Sequence, residues 1–217
     1  MIRTYTPADH GALIDLFARA GADSPTGELW RHLPSEQMVY LDPYIDHCPD
    51  TLFLAEVDDE LVGYLTGCPD SAPLPGEDEL LTQAIIRHKV MLRPRSMPFF
   101  VRSLIDVATG KLRGGELASG EAADPRWPAH LHINLAPQAR GTGVALELMR
   151  AWQDWLTEAQ VPGCYLQTLV ENTRATRFFE KCGFRAHGST PLVPGVRYQG
   201  KPVHQQTMVW CPPPSAG

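Results

Sequence analysis

His130, His132 and Asn134 stand just ahead of a turn that reads Gln138-Ala139-Arg140-Gly141-Thr142-Gly143-Val144. An imidazole of ordinary pKa, about 6.5, can take a proton near neutrality. Asn134 cannot take one, but its amide can orient a water. The turn offers a different chemistry. Two glycines let the backbone curl so that several N–H groups converge, and they let a phosphate approach closely. The stretch therefore combines proton removal with an anion cradle, and the question becomes what holds the two together.

The elements are legible on either side of the turn. Leu131, Ile133 and Leu135 alternate with His132 and Asn134, which is a strand pattern from His130 to Leu135. After the turn, Val144, Leu148, Ala151, Trp152, Trp155, Leu156 and Ala159 fall on one helical stripe, with Glu147, Arg150, Asp154 and Glu158 facing away. The first amides of that helix lack internal partners, and its dipole adds positive charge there. The turn is not a Walker loop, since no Gly-Lys-Ser/Thr follows. It is not a dinucleotide fingerprint either, because Leu146 stands where the third glycine belongs. It fits Arg/Gln-x-x-Gly-x-Gly/Ala twice, from Gln138 and from Arg140.

A second stretch follows. Tyr165 to Val170 is a strand pattern, and Asn172-Thr173-Arg174-Ala175-Thr176-Arg177-Phe178-Phe179-Glu180-Lys181-Cys182-Gly183-Phe184 comes after it. The turn is similar to the pyrophosphate loop of the GNAT acetyltransferase superfamily. The second stretch resembles that superfamily's Asn-x-x-Ala-x-x-Phe-Tyr-Glu-Lys-x-Gly-Phe signature, with Phe179 at the usual tyrosine. The resemblance implies an α/β (α+β) GNAT fold, with a mixed central sheet of about six to seven strands flanked by helices. It implies acetyl-CoA as co-substrate, no metal, and transfer of acetyl to a primary amine, on a small molecule or a lysine, by direct attack on the thioester. The backbone around Ile133 and Leu135 would pair with the pantetheine arm, and the amides of Gln138 to Val144 would hold the diphosphate. Asn172, Arg174 and Phe179 would lie near the cofactor. Arg174, Arg177 and Lys181 share one helical face, which reads either as phosphate contacts or as a solvated basic face.

Two catalytic roles stay open on this reading. Phe179 has no proton for the departing thiolate, so Tyr165 or a water would substitute, or Tyr165 simply packs in its strand. Ala129-His130-Leu131-His132 resembles the Ala-His-Leu-His of serotonin N-acetyltransferases, where histidines remove protons. This chain has one residue fewer before the glycine turn, and a one-residue slip turns a strand side chain to the opposite face. The run from Trp127 to Pro137 is closer to the acetyltransferase-like domain fused to O-GlcNAc hydrolases and its free-standing microbial relatives, which carry an acid where Asn134 stands. His132, Asn134 and Tyr165 are the catalytic candidates. The competing function is a catalytically weak or inactive acetyltransferase-like binding module.

The rest of the 217 residues reads as one domain, 1–211, with a helical insertion over about 70–126 and a disordered tail at 212–217. Ile2 to Tyr5 is a strand, and a helix runs to Gly21. A weaker helical region from Glu28 to Tyr44 is broken at Pro34 and Pro43. By resemblance this region lines the acceptor pocket, so Trp30, Tyr40, Asp42 and Tyr44 are acceptor-side candidates, or else core. A hairpin turns at Asp58-Asp59-Glu60. The insertion carries two helices, about 79–91 and 99–111, and reads as lid, acceptor wall, homodimer contact or mere decoration. A strand at 184–189, a loop at 191–200 and a strand at 205–210 close the fold. Net charge of −6 argues against nucleic acid and against an anionic membrane. No apolar run spans a bilayer, no signal peptide opens the chain, and five scattered cysteines read as free thiols in a cytoplasmic protein.

Overall fold

Two missing side chains let the long helix lie against the sheet. Gly67 is on β3 (Glu60–Cys68), and a Cβ there would sit 2.5 Å from the ring of Trp152 on α6 (Val144–Glu158). A Cβ at Gly63, four residues back on the same face of the strand, would meet Leu135 and Leu148. With both absent, Leu148, Met149, Trp152 and Leu156 are fully buried against the strands. Met149 joins the stripe expected from sequence, while Ala159 leaves it, being the exposed C-cap residue.

The computed structural model describes residues 1–21, 30–118, 124–139 and 141–213. One eight-stranded sheet runs β1 (Ile2–Thr4), β2 (Leu52–Val57), β3, β4 (Ala129–Leu135), β5 (Cys164–Leu169), β8 (Lys201–Trp210), β6 (Arg185–His187), with β7 (Leu192–Tyr198) also paired to β8. Every pairing is antiparallel except β4 with β5. On one face, α6 and α7 (Thr173–Lys181) close the larger apolar core; on the other, α1 (His10–Gly21) covers Leu52, Leu54 and Tyr64. Each is a sheet face burying its apolar residues under amphipathic helices.

Several expectations are corrected. The mixed sheet is as expected and reaches eight strands, because 192–198, expected within a loop, is a strand. Gln199 and Gly200 both have positive φ and turn β7 into β8, which begins at Lys201. Pro34 and Pro43 do not break a helix. They sit in the first turns of α2 (Leu33–Tyr40) and α3 (Asp42–His47), where a missing N–H costs nothing. Of the tail, residues 214–217 lie outside the described residues.

The stretch expected as an insertion forms α4 (Glu77–Arg87), a 3-10 turn at Val90–Leu92 and α5 (Met97–Arg113). α4 packs on α2, and α5 packs on β7. A half-buried ion pair fixes the second contact: both oxygens of Asp106 accept from Arg197 at 2.7 Å, and Oδ2 also accepts from the amide of Gly195 at 2.8 Å. Among the described residues no helix is long and apolar enough to cross a membrane.

Candidate active site

β4 and β5 are paired only at Ala129↔Cys164 and His130↔Tyr165. Beyond His130 the two strands go separate ways. β4 stays with β3 as far as Leu135, and β5 stays with β8 as far as Leu169. A cavity of about 330 Å³ opens in the gap, walled by Leu131–Asn134 on one side and Leu166–Leu169 on the other. Past the parting, the β5-facing edge of β4 has no strand partner, so its main-chain polar groups are available to an extended ligand.

The glycine turn lies at the end of that edge. Gly141 and Gly143 have φ of +85° and +94°, and a Cβ at either would meet nothing within 4 Å. The first requires glycine; the second leaves a cradle open over the N-terminus of α6. Thr142 shapes the turn by donating its hydroxyl to the carbonyl of Ala139 at 2.7 Å. Ala139 is buried in the core and its amide is bonded to Ala136, so only its place in the turn matters. Gln138 is exposed, and Arg140 lies outside the described residues.

The acceptor face of β4 carries His130, His132 and Asn134. His130 is buried and fully used. Its Nε2 faces the Tyr44 hydroxyl at 2.7 Å and its Nδ1 faces Ser71 Oγ at 2.6 Å, while Ser71 Oγ also reaches the carbonyl of Pro128 at 2.8 Å. One arrangement uses every proton: Ser71 donates to Pro128, Nδ1–H donates to Ser71, and Tyr44 donates to Nε2. Burial, with a smaller contribution from His132, pushes the His130 imidazole down to about 3. His130 is thus a neutral structural residue.

His132 differs in kind. It lines the large cavity and a smaller neighbouring one, and among the described residues it makes no hydrogen bond. Its ring lies edge-on to Tyr40 and Tyr44, with centroids 6.2 and 5.4 Å away. Burial pushes it down to about 4, so it stands neutral at pH 7 with a lone pair free. Asn134 donates its Nδ2–H to the hydroxyl of Tyr64 at 2.9 Å across the β3–β4 pair. Tyr64 is 1% exposed yet lines the cavity, and among the described residues its own hydroxyl hydrogen has no acceptor. Burial raises the Tyr64 phenol, keeping it protonated.

The remaining candidates divide. Tyr40 lines both cavities and donates to Glu77 at 3.0 Å; Tyr44 lines the smaller one. Trp30 and Asp42 line neither. The Trp30 indole donates to Ser35 at 2.6 Å and its carbonyl accepts from Ser96, which ties α2 to the start of α5. Asp42 accepts from Gln37 at 2.9 Å at the start of α3. Tyr165 lines only the smaller cavity and packs with Trp127 and Val209. Asn172 caps α7, accepting from Ala175 N at 3.2 Å, and also lines the cavity beside Phe179. Arg174 is exposed on α7. Sequence reasoning missed Tyr64, Glu36 and Glu77, all of which line the large cavity. Tyr64 faces the site only through its register opposite Asn134, and Glu77 only through the fold of the insertion. Among the described residues no group of three His, Cys, Asp or Glu side chains could hold a metal.

Known proteins share this fold. The model of the acetyltransferase (GNAT) family matches residues 14–184. A mycothiol acetyltransferase from Acidothermus cellulolyticus is 27% identical over 192 residues, which is 88% of this chain and 46% of that protein; the chain thus spans about half the length of this relative. The crystal structure of SsHAT superposes with a TM-score of 0.60 at 20% identity, covering 98% of both chains. The structure of yncA, a putative acetyltransferase from Salmonella typhimurium with its cofactor acetyl-CoA, gives 0.59 at 13% identity over 100% of this chain and 96% of the other.

Proposed function

The chain belongs to the GNAT acetyltransferase family, acyltransferases that use acetyl-CoA, and from that membership we propose an N-acetyltransferase that moves acetyl to a primary amine, on a small molecule or a lysine. The observation that carries it is the parting of β4 from β5 after His130, with the glycine turn at the far end of the freed edge.

The residues fit the co-substrate. The unpartnered edge at Ile133–Leu135 suits an amide-bearing arm laid down as an added strand. The open space over Gly141 and Gly143, at the start of α6, suits a diphosphate. Bound there, acetyl-CoA supplies an acyl group already activated as a thioester.

The chain's own tasks are then proton handling and positioning. His132, neutral and without a hydrogen-bond partner among the described residues, takes the proton that the amine nitrogen sheds as its bond to the acyl carbon forms; burial leaves it too weak a base to deprotonate a free ammonium. Tyr64, held from behind by Asn134, keeps its hydroxyl hydrogen for the oxygen on which charge develops. That donor serves the carbonyl oxygen; the sulfur, which Phe179 cannot protonate, departs as the thiolate and takes its proton from water. Glu36 and Glu77 line the same cavity beside Tyr40, whose hydroxyl donates to Glu77. The setting remains the cytoplasm on this reading, in keeping with five free cysteines.

A thermal-shift titration with acetyl-CoA and with CoA tests the grip, and thiol release against a panel of amines tests turnover. Both responses are expected. Phe179 favours the second reading, a module that binds without turning over. Saturable binding of acetyl-CoA with no thiol released across small amines and lysine peptides would replace the enzyme with that module.

A further inference from the structure

Residues 86–113 break the charge pattern of the molecule. They hold seven of its nineteen Lys and Arg but one of its twenty-five acids, a local balance of +6 within a chain of −6. That single acid, Asp106, is buried in its pair with Arg197. Arg87, Lys89, Arg93, Arg95 and Lys111 are all exposed.

The packed side of α5 mixes apolar and polar groups: Phe99 meets Trp30 and the Val196–Val203 cluster, Asp106 holds Arg197, and Arg102 donates to the carbonyl of Gly195 at 3.2 Å. Its outward face is apolar. Met97, Val101, Leu104, Ile105 and Leu112 are 46%, 47%, 69%, 55% and 87% exposed, and their spacing puts them within an arc of roughly 100°, along roughly 22 Å of helix. The preceding 3-10 turn packs against both α4 and α5 and adds exposed Met91 and Leu92. A contiguous apolar ridge of this kind is a contact surface.

We propose that this ridge docks the protein on a membrane surface rich in anionic phospholipid. Charge decides among the occupants. Two copies meeting ridge to ridge about a twofold axis would set each basic flank against its own image. A ridge meeting the acidic remainder of another copy would not close. The surface is convex, aliphatic and cation-flanked, and it holds no exposed acid, which suits insertion among acidic headgroups. The expectation of no membrane contact took the charge of −6 as a whole; its distribution points the other way locally.

Vesicle co-sedimentation of the full chain tests this. Partitioning should be at least about tenfold stronger on phosphatidylcholine vesicles carrying about a third phosphatidylglycerol than on phosphatidylcholine alone, and high salt should weaken it. The variants Leu104→Asp with Ile105→Asp, and Arg93→Gln with Arg95→Gln, should each lose about tenfold while keeping the wild-type melting temperature and acetyl-CoA shift. Equal binding to both vesicles, or to neither, overturns the proposal. So does a dimer in sedimentation equilibrium that the Leu104/Ile105 variant dissolves, which would give the ridge to a second copy. Salt-sensitive binding to polyglutamate without vesicle binding would give it to an acidic protein.

Discussion

On one face of β4, Ala129 and Leu131 pack with Leu148, Met149 and Trp152 of α6, none of them more than 3% exposed. On the other face, His130, His132 and Asn134 meet Tyr44, Tyr40 and Tyr64 through hydrogen bonds and ring edges. The first face is apolar and close-packed, and its task is to hold α6 and the turn ahead of it at a fixed place. On the proposed function the grip at that turn falls to main-chain amides, so the side chains there need only be absent. The second face works entirely through side chains. Substitutions should therefore separate: changes at the turn should act on cofactor affinity, and changes on the histidine face on turnover.

The sharpest way to break that division is Gly143→Trp. A side chain at φ +94° strains the backbone by roughly 1–2 kcal/mol, and its bulk enters the open space over the helix start. Acetyl-CoA affinity should fall by about a thousandfold or more, so that the acetyl-CoA thermal shift disappears while the far-ultraviolet circular dichroism stays native. A folded variant with an unchanged shift would remove the turn from the site.

Next in size is the joint between the insertion and the sheet. Asp106→Ala leaves Arg197 without its partner and the Gly195 amide without an acceptor, which should cost about 3 kcal/mol in urea unfolding. The guanidinium beside it holds the Asp106 carboxyl below the usual carboxylate range, against the opposing effect of burial. Its contribution is thus complete above the unfolded value of about 4 and fades as pH falls through the lower folded value. A variant as stable as wild type at pH 7 would show that α5 is held by apolar contact with β7 alone. His132→Ala should follow, with kcat down about a hundredfold and the acetyl-CoA thermal shift intact. A parallel loss of acetyl-CoA binding would mean that the two faces of β4 are not independent.

The same division explains what the sequence disclosed. The cofactor half is written in local order: strand alternation from Leu131 to Leu135, glycines at 141 and 143 and the stripe of α6 are neighbours along the chain, and periodicity finds them. The acceptor half is assembled from distant pieces. Tyr64 reaches the site through a cross-strand pair with Asn134, and Glu77 through a helix of the insertion packed on α2. Neither relation has a local signature. β7 was hidden for a physical reason: its register with β8 jumps between Val193 and Arg197, across Pro194 and Gly195, and those residue types in sequence mark a loop. Trp30 and Asp42 were the right types in the right region, but their hydrogen bonds to Ser35 and Gln37 spend them on structure.

The two histidines allow the finest test, because they sit two residues apart on the same face and have opposite employment. His130 is locked between Tyr44 and Ser71 and pushed down to about 3 by burial, whereas an unfolded histidine titrates near 6.5. Below pH 6.5 the unfolded chain binds a proton there that the folded chain refuses, so stability falls as pH drops from 6.5 toward 3. At pH 5 the loss from this residue is roughly 2 kcal/mol relative to pH 7. His130→Gln removes the titrating group, so its unfolding free energy should change by roughly 2 kcal/mol less between those pH values. Wild type and variant losing the same amount would show that His130 takes up its proton in the folded state, and the Tyr44–His130–Ser71 network would have to open to admit it. Tyr44→Phe, at roughly 1 kcal/mol, is the mildest intervention: it removes the donor to Nε2, and it should raise the His130 pKa rather than touch acetyl-CoA binding.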